Sequence, residues 1–384
     1  MPAKRRAASA LAGLALVIGL GGCADGGEDE AATTSGVPNV VVIITDDQDV
    51  ASLQVMPNVR ELIADEGLEF TNSYATTPEC CPSRATLLTG QYTHNHGVVS
   101  AGPPDGGYAA LDGSETLPVW LQRAGYRTAF VGKYLNGYGS EAQGNSPLEV
   151  PPGWSDWYAA TAGTEHEMYD YELNENGEIV AYGDEPGDYL TDVLAKKATG
   201  VVADAAREPN PFLLIVAPLA PHDKGSLEGS GAERDPRPAP RHLGSYEQLP
   251  TALADPDDGD DPPAALAARA RTTRARIAAG ELEAVARGRL ESLLAVDEMV
   301  AGLIAELKAT SSLDETVFIF TSDNGFLLGE HGLVGKELAY EESARVPLIV
   351  SGPGFSRGET SDQLVANIDV APTIVGARSM FATS

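Results

Sequence analysis

An α/β fold with a mixed, mostly parallel central sheet sandwiched by helices is the class that this 384-residue chain predicts. Three observations lead to it. Short apolar runs alternate with segments whose apolar residues recur at helical spacing. The runs are continuous, as expected of strands covered on both faces. Polar and charged residues come directly after several runs, where open α/β sheets place their sites.

The first segment is built like an export signal. Lys4, Arg5 and Arg6 precede a short apolar core over residues 10–20, too short for a comfortable membrane span. Leu20-Gly21-Gly22-Cys23 comes next and resembles a bacterial lipobox. That implies a lipoprotein signal peptide over residues 1–22, a lipid on Cys23 and attachment to a bacterial cell surface. A plain secretory cut at the small residues is the other reading. Residues 23–36 are acidic and small, cannot bury a core, and read as a flexible tether.

From residue 37 onward the elements of one large domain succeed one another. Val40–Ile44 is a β-branched run between Pro38 and Asp46, read as a buried parallel strand. Met56, Val59, Leu62 and Ile63 keep helical spacing up to Gly67. Residues 119–123 read as helix and 127–131 as strand. Residues 213–216, 317–320 and 348–350 read as further strands. Leu290, Leu293, Leu294, Val300, Leu303, Ile304 and Leu307 mark one long amphipathic helix. Residues 225–263, rich in Gly, Pro and Asp, read as a surface loop.

Composition narrows the function classes. The formal charge is −30, which disfavours nucleic acid because its phosphates are repelled. The three cysteines are Cys23, Cys80 and Cys81, and adjacent cysteines are badly placed to pair. No disulfide framework is readable, so each cysteine needs its own explanation.

The residues just past the strands carry the chemistry. The run 40–44 leads to Asp46-Asp47, and 317–320 to Ser322-Asp323-Asn324-Gly325. The run 213–216 leads to Pro221-His222, and 127–131 to Gly132-Lys133. Asp46, Asp47, Asp323 and Asn324 are hard oxygen donors, and three close carboxylates repel one another without a cation. Taken alone, these residues also fit separate helix caps and turns.

Cys80-Cys81-Pro82-Ser83-Arg84, with a short helix ending at Gly90, resembles the sulfatase signature. It stands in register with Thr45-Asp46-Asp47 upstream and Asp323-Asn324-Gly325 downstream. The resemblance covers roughly residues 38–377. It is most like the N-acetylglucosamine-6-sulfatase branch through residues 45–49, 90–98, 132–139, 189–195 and 364–373.

The resemblance implies the alkaline-phosphatase-like sulfatase fold, with 37–384 as a catalytic domain hydrolysing sulfate esters of a sugar or aryl alcohol. It implies that a formylglycine-generating enzyme oxidises Cys80 to formylglycine. Asp46, Asp47, Cys80, Asp323 and Asn324 are then the ligands of Ca²⁺, with Mg²⁺ as the alternative. Arg84, Lys133, His222 and Lys336 complete the catalytic set, Arg84 on the nucleophile and the others on sulfate. Where many relatives carry a histidine two residues after the Lys133 position, this chain has Leu135 and then Asn136, which leaves the second proton acceptor open. The same resemblance leads one to expect a small C-terminal antiparallel subdomain beyond residue 373. Its lack here predicts an exposed apolar patch around Val365, Ile368 and Ile374.

His331 reads as a candidate pocket residue, His94 and His96 as structural ahead of metal-binding, and Trp154, Trp157 and Tyr158 as core ahead of the lining of a sugar site. Two other functions share these residues. One is a phosphoester or phosphonate hydrolase of the same fold. The other is an inactive glycan-binding surface lipoprotein.

Overall fold

The β-branched run at 40–44 forms the centre of β1 (Asn39–Thr45), the middle of a ten-stranded sheet in a computed structural model. The structure describes residues 36–223, 236–246, 263–278 and 280–381. The signal, the Cys23 lipobox and nearly all of the tether lie outside those residues. Among the described residues, no helix is long and apolar enough to cross a membrane.

The other strands of the large sheet are β2 (Gly67–Tyr74), β3 (Arg127–Gly132), β4 (Asp156–Ala160), β5 (Glu172–Glu175), β6 (Glu178–Ala181), β7 (Phe212–Ala217) and β8 (Thr316–Ser322). A two-residue pair, β9 (Leu327–Leu328) and β10 (Val334–Gly335), forms a separate antiparallel ribbon. β11 (Leu348–Ser351) and β12 (Glu359–Ala366) complete the sheet, whose order is β12-β2-β11-β8-β1-β7-β3-β4-β5-β6. The core β8-β1-β7-β3-β4 is parallel, with Val42 opposite both Ile215 and Ile319. Only β11 and β5 run against the rest. The run 348–350 is thus a strand, but an antiparallel one.

Alternate residues of the central strands feed two apolar layers. Val41, Ile43, Leu214, Val216, Phe318 and Phe320 pack with the helices Leu190–Ala205 and Glu281–Ala309. Val40, Val42, Ile44, Leu213, Ile215 and Ile319 face the other way, toward the helices Cys80–Thr89, Leu117–Arg123 and Val370–Phe381. Each fully buried Val, Leu or Ile contributes about 1.5–3 kcal/mol. Continuous apolar strands are the consequence of covering both faces, and parallel pairing sends every central strand to the same edge.

One expectation is corrected. Ile374 is 1% exposed and sits in the second layer, and Val365 packs partly against it. The exposed apolar side chains of this region are Leu364, on the edge strand β12, and Val375. Helix periodicity turns Ile374 inward and its neighbour outward. Within 225–263, the part that the structure describes is mostly exposed and is tied to the long helix. Ala239 is buried, and Gly244 and Tyr246 donate their N–H groups to Glu291 on the long helix. The rest of that stretch lies outside the described residues, Pro263 apart. Two strands, β5 and β6, are marked by no apolar run in the sequence. Asn176-Gly177, both at positive φ, makes the two-residue turn between them.

Candidate functional site

Four strand ends meet at the carboxyl edge. Pairing continues past the strands: Asp323 N–H donates to Thr45 O at 3.1 Å and Lys133 N–H to Ala217 O at 2.9 Å. Gly132 allows the close passage there, because a Cβ on it would meet Ala217 O at 2.1 Å. The segment after β7 carries His222, and the one after β8 carries Asp323 and Asn324.

A fifth element brings Cys80. The helix Cys80–Thr89 starts with this residue and closes at left-handed Gly90, whose N–H donates to Thr86 O. All ten of its residues are buried, and its N-terminal end contributes partial positive charge beside Cys80. Ser83 Oγ donates to Asp323 O, and Asn367 Nδ2 donates to Ser83 Oγ at 2.8 Å, which ties the helix to the sheet edge.

Asp46, Cys80 and Asp323 present ligand atoms within 4.8 Å of one another, and so do Asp46, Asp47 and His222. Lys133 Nζ forms an ion pair with Asp46, and Arg84 Nη2 lies 3.5 Å from the same carboxylate. Arg84 Nε donates to Asp323 Oδ2 at 2.8 Å. Lys336 Nζ lies 2.5 Å from Asp47 Oδ1 and 3.0 Å from Cys80 Sγ. Lys133 Nζ is 3.8 Å from that sulfur. Asn324 Nδ2 donates to Asp47 Oδ1 at 2.8 Å.

The electrostatics follow from the crowding of charge in a buried place. Burial works against the Asp46 carboxylate, but Lys133, His222, Arg84 and Lys336 outweigh it and hold its pKa well below the usual range. Burial and the neighbouring Asp46 charge push Asp323 up to about 6 despite Arg84. Burial also pushes the Cys80 thiol up. Asp46 Oδ1 and Asn324 Oδ1 are buried and accept no hydrogen bond. Asp46 Oδ2 likewise accepts none by geometry, although the Lys133 ammonium is against it; the close charge is the more telling contact. Buried oxygens without hydrogen-bond donors, in a cluster where a carboxylate is pushed up, fit an oxygen-ligated divalent cation.

His222 Nδ1 lies 2.5 Å from the Asp223 carbonyl, and its Nε2 lies 3.7 Å from Asp47 Oδ2. Burial lowers its pKa to about 4, against the pull of Asp47 and Asp46. His166 stacks on this ring, with centroids 4.8 Å apart. Burial lowers His166 to about 2, helped by Lys133 and His222.

All the sequence-derived candidates, Asp46, Asp47, Cys80, Arg84, Lys133, His222, Asp323, Asn324 and Lys336, therefore meet in one place. His331 does not join them. It sits at φ +54, bonds Glu342 at 3.1 Å and stacks on Tyr340. Asn136 gives its carbonyl to Tyr108 N–H at 2.8 Å. His96 bonds Thr86, and His94 stacks on Tyr92 at the surface. Trp154 and Trp157 are buried with Phe130, and Tyr158 lies under Lys197 on the other face.

Sequence reasoning missed His166 and Arg289. His166 stands on the irregular segment between β4 and β5, where no periodicity marks it. Arg289 is a single cation on an amphipathic helix, and nothing local says that it points inward.

Comparison with known proteins is consistent with this geometry. The family profile described as Sulfatase matches residues 38–379. The chain is 35% identical to the N-acetylglucosamine-6-sulfatase of Homo sapiens over 372 residues, 94% of this chain and 64% of that protein. It spans 46% and 64% of the lengths of the first two curated relatives that it matches. A solved structure of BT4656 in complex with its substrate D-glucosamine-2-N,6-O-disulfate superposes with a TM-score of 0.69 at 26% identity, covering 90% of this chain and 77% of that one. A phosphonate monoester hydrolase from Silicibacter pomeroyi shares the fold at a TM-score of 0.65 and 22% identity, covering 89% and 73%.

Proposed function

The chain belongs to the sulfatase family, and from that premise we propose that it hydrolyses sulfate esters, with a 6-sulfated glucosamine-type sugar as substrate and position 80 as nucleophile. The observation that carries this is the seat of Cys80. It opens a buried helix, lies 3.0 Å from Lys336 Nζ, and shares a cluster with Asp46 and Asp323. The sugar rests on the human relative's name and on the disulfated glucosamine in BT4656.

Position 80, once oxidised to formylglycine, supplies a hydrated aldehyde, one hydroxyl for attack on sulfur and a second to expel sulfate. Asp46, Asp47, Asp323 and Asn324 would hold Ca²⁺, or Mg²⁺, which supplies neutralising charge and favours the ionised nucleophile. The chain's own side chains do the rest. Lys133 and Lys336 converge on position 80 and stabilise charge that develops on the sulfuryl oxygens. Arg84 holds Asp46 and Asp323 and steadies the nucleophile. Lys336 Nζ carries the proton for the leaving oxygen.

His222 fills the role that the sequence leaves open. The Asp223 carbonyl can only accept, so Nδ1 carries the hydrogen there. The neutral ring then leaves Nε2 bare, 3.7 Å from Asp47 Oδ2 in the cluster that adjoins position 80, as a proton acceptor. His222 is thus the acceptor for sulfate release.

Comparing substrates tests the class. Purified protein is assayed with glucosamine 6-sulfate, an aryl sulfate and an aryl phosphonate. Sulfate turnover should exceed phosphonate turnover by at least about a hundredfold. The reverse order would move the chain to the phosphonate hydrolases of this fold. An inactive glycan-binding protein would show no turnover and an unoxidised Cys80 by mass spectrometry of its peptide.

We also propose that the chain is exported and lipid-anchored through Cys23. Cys23→Ala should move the protein from the membrane fraction to the soluble fraction. Unchanged fractionation would reject the anchor.

A further inference from the structure

The long helix Glu281–Ala309 brings to the site a cation that the proposed mechanism does not use. Arg289 is 2% exposed. Its Nη2 donates to the Asp47 carbonyl at 2.5 Å and its Nη1 to the Pro221 carbonyl at 3.3 Å. The guanidinium lies over the Phe326 ring, 4.3 Å from its centroid. Asp49 Oδ2 is 3.9 Å from Nη2, too far for a hydrogen bond. Buried arginines usually grip a carboxylate with both arms. This one directs its donors to two backbone carbonyls on two different strand ends.

Those carbonyls belong to sensitive places. Asp47 has φ +67, the left-handed region that a residue with a Cβ adopts only where its surroundings impose it. Its N–H donates to Asp323 Oδ1 at 3.0 Å, its carboxylate accepts from Asn324 and Lys336, and its carbonyl is the one Arg289 holds. The peptide that comes after Asp47 is held from both sides, by Arg289 on its carbonyl and by Ser322 Oγ, which accepts from Gln48 N–H at 2.9 Å. Without Arg289 that peptide keeps only the Ser322 bond, and it can relax toward the extended region and turn the carboxylate away from Asp46. Pro221, the second anchor, directly precedes His222. One guanidinium thus adds a side-chain tie between the segments that follow β1 and β7, beyond the strand pairing and the Asp46 N–H to Ala220 O contact at 3.4 Å.

We propose that Arg289 is a positioning residue that pre-forms the divalent-cation site by locking the left-handed Asp47 and the Pro221–His222 segment together. This rests on the metal reading of the cluster of Asp46, Asp47, Asp323 and Asn324. Calorimetric titration of the full chain with Ca²⁺ tests it, on wild type, Arg289→Met and Arg289→Lys, alongside the melting temperature of each metal-free protein. Arg289→Met should weaken Ca²⁺ binding about 10- to 100-fold, the range seen when a ligand's supporting partner is lost. Arg289→Lys, whose amine reaches one carbonyl, should fall between Met and wild type. A merely structural role would lower the melting temperature and leave the affinity of the folded protein within about twofold of wild type, which overturns the proposal. If the Met variant does not fold, the Lys variant decides by the same criterion. Wild type that takes up no Ca²⁺ would reject the metal reading itself, and this proposal with it. Wild type that binds, with variants that bind equally well, rejects only the role of Arg289.

Discussion

Cys80→Ala is expected to lower sulfate-ester turnover by at least about a thousandfold, while Cys81→Ala keeps most of it. The two side chains are neighbours in sequence and opposites in environment. Cys80 Sγ faces the ammonium groups of Lys336 and Lys133. Cys81 belongs to the apolar layer with Ala85, Leu88 and Tyr134, and burial pushes its thiol up to about 12. An inert thiol in such a layer acts as a small hydrophobe, so Cys81→Ala should cost about 1 kcal/mol of stability. Steady-state assays on an aryl sulfate, with urea denaturation of both variants, separate chemistry from packing. If Cys81→Ala is the dead variant, the register of the signature is wrong.

Removing divalent cations should have the next largest effect. Chelated protein is expected to lose at least about a hundredfold in turnover and to regain it on addition of Ca²⁺. The melting temperature should rise with Ca²⁺, because a ligand at a hundredfold excess over its Kd stabilises the folded state by about 2.7 kcal/mol. The physical reason lies in Asp46, Asp47 and Asp323, which crowd three carboxylates into one buried place. Burial and the Asp46 charge raise Asp323 to about 6. A protonated carboxyl is a poor ligand, so Ca²⁺ affinity should fall as pH drops through about 6 and recover above it. Full activity in metal-free protein would reject the metal site.

Much of this site was legible in the sequence, for a local reason. Strands buried on both faces must be continuously apolar, so Val40–Ile44 and Val317–Phe320 announced themselves. Parallel strands end at one edge, so Asp46, Asp47, Lys133, His222, Asp323 and Asn324 had to approach one another. The signature at Cys80 carries its own helix start and its Gly90 stop. The antiparallel β11 was less legible, because a short apolar run looks alike in either direction.

His331 shows the limit. It lies between Asp323 and Lys336 in sequence, yet its left-handed backbone turns it to Glu342 and Tyr340. His166 shows the converse. An irregular segment between β4 and β5 carries it onto His222, and no spacing rule foretells a loop's path.

The sequence by itself determined the central strands, the edge at which chemistry gathers, and the identity of most of the groups brought there, because burial on both faces is written in local apolar pattern. Only the tertiary structure decided which groups support them. Arg289 is separated from Asp47 by most of the chain, and it reaches that carbonyl because the helix Glu281–Ala309 packs across β1 and β7. Such contacts depend on how helices and loops settle on the sheet, and that packing is a property of the whole fold rather than of any stretch of it.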